Sequence, residues 1–273
     1  MKNDWRGFIF GALCASGIFI FVSYFNKSAS ESKVSNVDND IIHNLRGVIS
    51  NVFRESKVSN NKILFDHNDI LKFEDGFSVV DDPALLSFIR QRWLVYPSQE
   101  PRISTEPEKH YSQVKQSQFV DKFLQSKQYG FFIECGAANG VALSNTLFFE
   151  KFRGWTGLLI EPNPSLYSNV VAKRKGSYAI NSCLSTTNKT MKVYFDMNNL
   201  FGKITEKKAA QVQCFPLFSI LQAIGVDTID YFSLDVEGPE LEILKTIPWN
   251  KIRINVLTIE YRILNPGIKV NQK

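Results

Sequence analysis

One stretch, Tyr129 to Pro164, constrains the fold of this chain more than any other part of its 273 residues. It opens with the apolar run Phe131–Ile133 and passes through a glycine-containing turn. A helix-like segment at 143–152 then places its apolar side chains on one stripe. A second apolar run, 158–160, follows the helix. A strand, a helix and a second strand in this length predict one βαβ unit.

The same alternation continues on both sides of this unit. Further strands are expected at 178–184, 191–195, 229–234 and 254–259, and further helices at 84–94, 113–125 and 241–246. Residues 212–223 are expected to contain the end of a strand followed by another helix, which Gly225 closes. Alternating strands and helices predict an α/β fold with a doubly wound, mostly parallel sheet. Ligands of such sheets bind at the carboxyl ends of the strands.

The turn after the first strand reads Glu-Cys-Gly-Ala-Ala-Asn-Gly, which differs from the dinucleotide fingerprint G-x-G-x-x-G. Its glycines let the backbone approach a ligand. An acid before the first glycine suits a ligand with a positive charge here, and S-adenosylmethionine, with its ammonium and sulfonium, is such a ligand. Glu161, which closes the second strand, is placed to accept hydrogen bonds from a ribose diol. The predicted cofactor-binding residues are Glu134, Gly136, Ala137, Asn139, Gly140 and Glu161.

Acids also end the later strands, at Asp235, Glu237 and Glu260. Asp235 and Glu237 are the candidate catalytic residues: they can hold a substrate hydroxyl, act as a base or bind a hard cation. Since side chains alternate along an extended chain, both need not face the cleft. The structural alternative is that Asp235 merely ends the strand and Glu240 stabilises the next helix by its charge.

The uncharged stretch from Gly7 to Phe25 has the length of a membrane-spanning helix, about 28 Å. Trp5 and Tyr24 lie at its ends, and the flanking charges weakly favour a cytoplasmic amino terminus. These features predict a single-pass signal anchor with the remaining chain in the lumen or outside. The alternative is a cleaved signal peptide, because Ser28–Ser30 resembles a cleavage site.

Charge and histidine content argue against two other kinds of site. The net charge of +5 is spread along the chain without a dense Lys/Arg stripe, so no nucleic-acid partner is expected. His43, His67 and His110 are isolated, so no metal is expected. Residues 26–80 are rich in polar residues and repeat the hexapeptide ESKVSN, which predicts a flexible luminal stem with at most a short helix at 41–53.

Four segments of the chain, FIECGAANG, SNTLFFEK, GWTGLLIEPNP and SLDVEGPE, resemble the FkbM family of S-adenosylmethionine-dependent methyltransferases. The resemblance runs from about residue 81 to 261 and is nearest to the membrane-anchored Star group, through DDPALLSFIR and DYFSLDVEGPELEILKTIPW. It implies a class I methyltransferase fold in which Glu134, Gly136, Gly140, Glu161 and Asp235 surround the cofactor.

For the Star group, the resemblance implies a membrane protein that assists vesicle-mediated transport of cargo, notably growth-factor precursors, between endoplasmic reticulum, Golgi and endosome. The alternative is an active O-methyltransferase on a sugar, lipid or small hydroxyl acceptor. A class I sheet normally continues beyond its 254–259 strand with a helix and an antiparallel hairpin. The tail that follows here has no strand pattern, so we expect a sheet truncated at its carboxyl end.

The predicted organisation is a cytoplasmic terminus (1–6), the transmembrane anchor (7–25), the luminal stem (26–80), the methyltransferase-like domain (81–261) and an irregular tail (262–273).

Two modifications are expected in a luminal domain. Cys14 lies in the membrane span and Cys135 in the buried turn, which leaves Cys183 and Cys214 near strand ends as a disulfide candidate. Two buried free thiols are the alternative. Asn188 begins the clearest glycosylation sequon, Asn-Lys-Thr.

Overall fold

The computed structural model describes residues 18–21, 64–76, 78–196 and 210–260, and the statements below concern these residues. The strands, in chain order, are β1 (Ile18–Phe21), β2 (Leu94–Val95), β3 (Phe131–Cys135), β4 (Thr156–Ile160), β5 (Tyr178–Ile180), β6 (Cys183–Leu184), β7 (Met191–Phe195), β8 (Ala210–Phe215), β9 (Thr228–Leu234) and β10 (Arg253–Glu260). The helices are α1 (His67–Glu74), α2 (Pro83–Arg92), α3 (Gln116–Phe123), α4 (Leu147–Phe152), α5 (Pro164–Lys173), α6 (Leu217–Ile224) and α7 (Glu240–Lys245).

A seven-stranded sheet, in the order β1-β10-β9-β3-β4-β5-β2, forms the centre of the fold. The five inner strands run parallel, and β1 and β2 pair antiparallel at the two edges. This arrangement confirms the predicted α/β fold with a mostly parallel sheet. The part of the chain between β5 and α6 forms a second sheet of three strands, in the order β6-β8-β7.

The strands are buried on both faces, which is why they read as continuous apolar runs. Side chains on one face, such as Ile133 and Phe232, join the cluster that contains residues of α1, α2, α6 and α7. Their neighbours Phe132 and Tyr231 point to the opposite face and pack with residues of α3, α4 and α5. The helices therefore cover both faces and leave the carboxyl edge of the inner strands for a ligand.

Two helices begin at the capping signals that the sequence provides. Asp82 caps α2 by accepting from the Ala84 N–H, and Pro83 fills the first helical position. Asn163 caps α5 in the same way and is followed by Pro164. The cap of α5 matters for function, because it lies directly after the strand that ends at Glu161.

The predicted helix at 143–152 is wrong in its first turn, since α4 begins only at Leu147. Residues 144–146 instead turn toward the Glu134 carboxylate, which accepts hydrogen bonds from all three. Leu143 has a left-handed backbone (φ 60°) and is 48% exposed, so it does not belong to the apolar stripe. Hydrogen bonds to the buried Glu134 carboxylate therefore replace the first helical turn that the sequence pattern predicts.

The predicted strand at 178–184 is two strands in different sheets. After β5, the Asn181 side chain donates to the carbonyls of Glu161 and Pro162, and the chain leaves the large sheet. Cys183 and Leu184 then pair with β8. Cys183 and Cys214 are joined by a disulfide, with their Cα atoms 4.3 Å apart, as predicted from the sequence. Asn188, the sequon residue, is exposed in the loop before β7.

Part of the predicted flexible stem is folded onto the domain. Residues 67–74 form α1, whose Asp66 cap and Asp69 make a reciprocal capping box. Phe73 is buried and packs with Phe65 and with Phe88 of α2. Because of these aromatic contacts, the structured domain begins before residue 81, the boundary predicted from the sequence. The short helix expected at 41–53 lies outside the described residues.

An amino-terminal transmembrane helix is not shown. Within the predicted anchor only Ile18–Phe21 are described, and these four residues form β1, which pairs antiparallel with Leu257–Glu260 of β10. β-Branched and aromatic residues favour a strand where an open sheet edge is available. No helix in the described part of the chain is both long enough and apolar enough to cross a bilayer.

Candidate active site

A cavity of about 460 Å³ opens at the carboxyl edge of β3, β4, β9 and β10. This volume is within the range of small-molecule sites. The turns that follow these strands and the small sheet form its walls. Five acids line it: Glu134, Glu161, Asp235, Glu237 and Glu260. Among the described residues that line it, none is a lysine, arginine or histidine.

Glu134 is the penultimate residue of β3 and is 3% exposed. Its carboxylate accepts from the Ser144 hydroxyl (2.8 Å), the Asn145 N–H (2.7 Å) and the Thr146 hydroxyl (2.5 Å). The fully buried guanidinium of Arg174 completes the set, with Nη1 at 3.4 Å. Glu134 therefore holds the loop before α4 in place, and its acceptor capacity is largely used by the protein itself.

Gly136 brings the two halves of the site together. Its backbone is left-handed (φ 85°), and a Cβ at this position would overlap the carbonyl oxygen of Asp235. The Asp235 N–H donates to the Cys135 carbonyl, so the ends of β3 and β9 are bonded just beside this contact. Only glycine allows this approach, since any side chain would displace the backbone of Asp235.

The other residues of the predicted cofactor turn divide into two groups. Ala137 is buried and lines the cavity. Asn139 and Gly140 are not among the residues that line it. The Asn139 side chain accepts from the N–H groups of Val141 and Ala142, and Gly140 packs on Arg174 and Val170. Asn139 and Gly140 therefore stabilise the turn without lining the cavity.

Glu161, which was predicted to accept hydrogen bonds from a ribose, follows β4 and lines the cavity. One carboxylate oxygen accepts from the Ala138 N–H (2.7 Å) and the other from the Asn163 N–H (2.9 Å). These bonds fix the carboxylate at the cavity wall and leave each oxygen a further lone pair. Burial raises the pKa of Glu161 to about 7, although the two backbone hydrogen bonds act in the opposite direction.

Asp235, Glu237 and Glu260 form a cluster in which one carboxylate oxygen from each lies within 4.8 Å of the others. Burial, together with the charges of Glu260, Glu237 and Glu240, raises the pKa of Asp235 to about 8. Such a cluster can share a proton, and the same oxygens are the donors that hard cations prefer. The expectation of no metal rested on the isolated histidines and did not consider these three carboxylates together.

The loop that carries Glu237 explains how two alternating acids reach one cavity. Glu237 has a left-handed backbone (φ 62°), which is uncommon for a residue other than glycine and is often found at functional sites. The Glu240 carboxylate accepts from the N–H groups of Val236 and Gly238 and so holds this loop. The structural role considered for Glu240 thus takes the form of hydrogen bonds to the loop that precedes α7.

Several cavity residues could not be predicted from the sequence. Ser144 and Asn145 were expected inside a helix, where neither would reach a ligand. Cys183, Leu184 and Phe195 belong to the small sheet, whose position over the cleft has no sequence signal. Glu260 was recognised as a strand-end acid but was not assigned a role. Glu260 pairs with Ile18 on one side. On the other side Ile259 pairs with Leu234, so the next residues in the two parallel strands, Glu260 and Asp235, lie beside each other.

Comparison with protein families gives a match that covers this site. Residues 134–268 match the Methyltransferase FkbM domain. This part of the chain is similar to an FkbM methyltransferase domain. Glu134 is the first residue of the match, and all five cavity acids lie within it. Neither the curated proteins nor the solved structures include a match to the chain.

A methyltransferase-like domain is consistent with the use of S-adenosylmethionine, and the residues of the cleft fit that cofactor. The acidic lining suits a ligand with a sulfonium and an ammonium. Gly136 provides the close backbone approach, and Glu161 presents fixed acceptors for a diol. The apolar wall formed by Leu143, Leu184 and Phe195 suits a ring system beside these charges.

Proposed function

We propose that this protein binds S-adenosylmethionine in the acidic cleft and transfers its methyl group to a hydroxyl of a sugar, lipid or small acceptor. When bound, the cofactor supplies a methyl group on a sulfonium, which is an electrophile. Glu161 would accept from the ribose hydroxyls. Gly136 and Ala137 would lie against the amino-acid part.

The charge of the cavity is the observation that carries this proposal. Five acids and no basic side chain line it within the described part of the chain. A negative, partly buried cavity attracts a cationic ligand and repels an anionic one. The acceptor is therefore neutral or cationic at its reacting end, and a phosphorylated or carboxylate-bearing group is disfavoured there.

Asp235 is the candidate base for the acceptor hydroxyl. Its raised pKa, about 8, makes it a stronger base than an ordinary aspartate while leaving a useful ionised fraction near neutral pH. Glu237 and Glu260 flank it closely enough to orient a hydroxyl and to favour uptake of its proton.

Calorimetric titration of the purified full chain with S-adenosylmethionine and S-adenosylhomocysteine tests this proposal. We expect binding of both ligands, and we expect Glu161→Ala to weaken each by roughly ten- to hundredfold through loss of a charge-assisted hydrogen bond. Asn169→Ala, on the exposed face of α5, serves as control. A folded wild type that binds neither ligand would refute the proposal.

A second candidate is a Star-like function, in which an anchored luminal domain binds cargo for transport between endoplasmic reticulum, Golgi and endosome. The Cys183–Cys214 disulfide supports this placement, because disulfides persist in oxidising compartments such as the secretory lumen. The exposed Asn188 sequon agrees with it. The uncharged stretch at 7–25 has the length of an anchor, although its residues Ile18–Phe21 form β1 of the sheet. In this candidate the methyltransferase domain acts as a binding scaffold.

Protease protection in sealed microsomes tests the placement. We expect the domain to be protected and Asn188 to be glycosylated, whereas digestion in intact vesicles would place the domain in the cytosol. Cargo export separates the two functions. If export relies on surface contacts alone, Asp235→Asn leaves export intact while it abolishes methyl transfer.

A further inference from the structure

Asn145 is the buried cavity residue whose hydrogen bonding is incomplete. It lies in the loop before α4 and is 6% exposed. Its backbone N–H donates to Glu134 (2.7 Å), and its side-chain Nδ2 donates to the Ser233 hydroxyl of β9 (2.9 Å). Its Oδ1 is buried and has no hydrogen-bond partner within the described part of the chain.

The two fixed contacts determine the orientation of this carboxamide. With Nδ2 directed to Ser233, the acceptor oxygen is held on the other side of the amide plane. A buried acceptor without a donor is unfavourable, so native proteins satisfy nearly all such groups. Asn145 lines the cavity, so a ligand bound there can supply the missing donor.

Glu134 cannot easily serve the positive end of the ligand, although its sequence position suggested this role. Four donors from Ser144, Asn145, Thr146 and Arg174 already surround its carboxylate. The Ser144 hydroxyl also accepts from two backbone N–H groups of the same loop. The adjacent acceptor that the protein leaves unsatisfied is Asn145 Oδ1.

The position of Asn145 also fits the shape of the ligand. Glu161 follows β4, and Asn145 is bonded to β9, which lies on the other side of β3. Two strand spacings separate these positions, or about 10 Å. An elongated ligand with a diol at one end and an ammonium at the other can contact both, with Gly136 between them.

We propose that Asn145 is a cofactor-binding residue whose Oδ1 accepts a hydrogen bond from the α-ammonium of S-adenosylmethionine. This inference rests on the proposed function of the cleft. It assigns the ammonium contact to the loop before α4, and it leaves Glu134 as the residue that positions this loop.

Two ligands distinguish this contact from a general structural role. S-adenosylmethionine carries the ammonium, and 5′-methylthioadenosine shares the nucleoside but lacks the amino-acid part. For the full chain with Asn145→Ala, we expect affinity for S-adenosylmethionine to fall about tenfold or more. We expect affinity for methylthioadenosine to stay within about twofold, whereas Glu161→Ala weakens both ligands.

Asn169→Ala is the matched control, since the same substitution on exposed α5 should change neither affinity. If Asn145→Ala does not fold, Asn145→Ser removes the same acceptor with a smaller change in polarity and carries the same expectation. Unchanged affinity for S-adenosylmethionine, or equal weakening of both ligands, would overturn the ammonium contact and leave the proposed function intact. A wild type that binds neither ligand would overturn both.

Discussion

The two sides of the cleft use the same kind of side chain in opposite ways. At the ends of β3 and β4, the carboxylates of Glu134 and Glu161 are each held by hydrogen-bond donors from the protein. At the ends of β9 and β10, Asp235 and Glu260 lie beside one another and beside Glu237. On the first side each carboxylate accepts hydrogen bonds from nearby N–H or O–H groups, and on the second side three carboxylates lie close together.

An acidic residue at the end of a strand can therefore play either of two roles. The Glu134 carboxylate, which is surrounded by donors and paired with Arg174, contributes to the shape of the site, because its charge is already balanced. A carboxylate that faces other carboxylates is poised to take up a proton or a cation. The first arrangement stabilises the fold, and the second stores unfavourable energy that a ligand can relieve.

Gly136→Val should have the largest effect, since Gly136 is where the two sides meet. The new side chain would overlap the Asp235 carbonyl and also force a left-handed backbone on valine. We expect a loss of more than about 4 kcal/mol in unfolding free energy, measured by urea denaturation. Gly225→Ala is the control: its backbone is equally left-handed (φ 73°) but its surroundings are open. It should cost only about 1–2 kcal/mol. Equal losses would mean that the close contact has no special role.

Glu134→Gln tests whether the bonded side is structural. The substitution removes one of the two carboxylates that pair with Arg174, whose side chain has no exposed surface, and leaves Glu150 as the other. We expect a destabilisation of about 2–3 kcal/mol by thermal or urea unfolding, because buried donors lose a charged acceptor. Glu108→Gln removes one of the two partners of Arg153 at a side chain that is 54% exposed, and about 0–1 kcal/mol is expected there. A similarly small loss at Glu134 would contradict the contrast between the two sides.

Asp235→Asn should increase the free energy of unfolding, whereas the substitutions at Gly136 and Glu134 should lower it. Because the folded pKa of Asp235 is raised to about 8, its ionisation opposes folding. This cost is absent below the unfolded pKa near 4, grows as the pH rises and is complete above about 8. We therefore expect the variant to be more stable than wild type by about 1 kcal/mol or more at pH 9, with little difference at pH 4. Asp227→Asn, an exposed change at the other end of β9, should show no such trend. A destabilised Asp235→Asn at pH 9 would mean that the charge is compensated.

Glu161 should give the smallest effect, a pH dependence of binding. Its pKa of about 7 means that the carboxylate is lost as the pH falls from 8 to 6, and with it a charged acceptor for the ribose. The affinity for 5′-methylthioadenosine, which has no titrating ammonium, should fall about three- to tenfold over this interval. In Glu161→Gln the affinity should be lower and nearly constant with pH. A wild type with constant affinity would show that the ligand does not use this carboxylate.

The local parts of this architecture were predictable. The alternation of strands and helices and the acids at the strand ends follow from short patterns in the chain. Those patterns placed Glu161, Asp235 and Glu237 at one edge of a parallel sheet, because parallel strands all end on the same side. The pairing of Cys183 with Cys214 was also accessible, because both cysteines lie near the ends of predicted strands.

What each acid does could be decided only by the tertiary structure. The donors that occupy Glu134 come from 10 to 40 residues away in the chain, at Ser144 and Arg174. Asp235 meets Glu260 through the pairing of β9 with β10. The sequence by itself determined the βαβ framework and the positions of the acids, because backbone periodicity and capping are local. Burial and hydrogen-bond partners depend on what packs around each side chain, so only the folded chain separates bonded carboxylates from carboxylates that face each other.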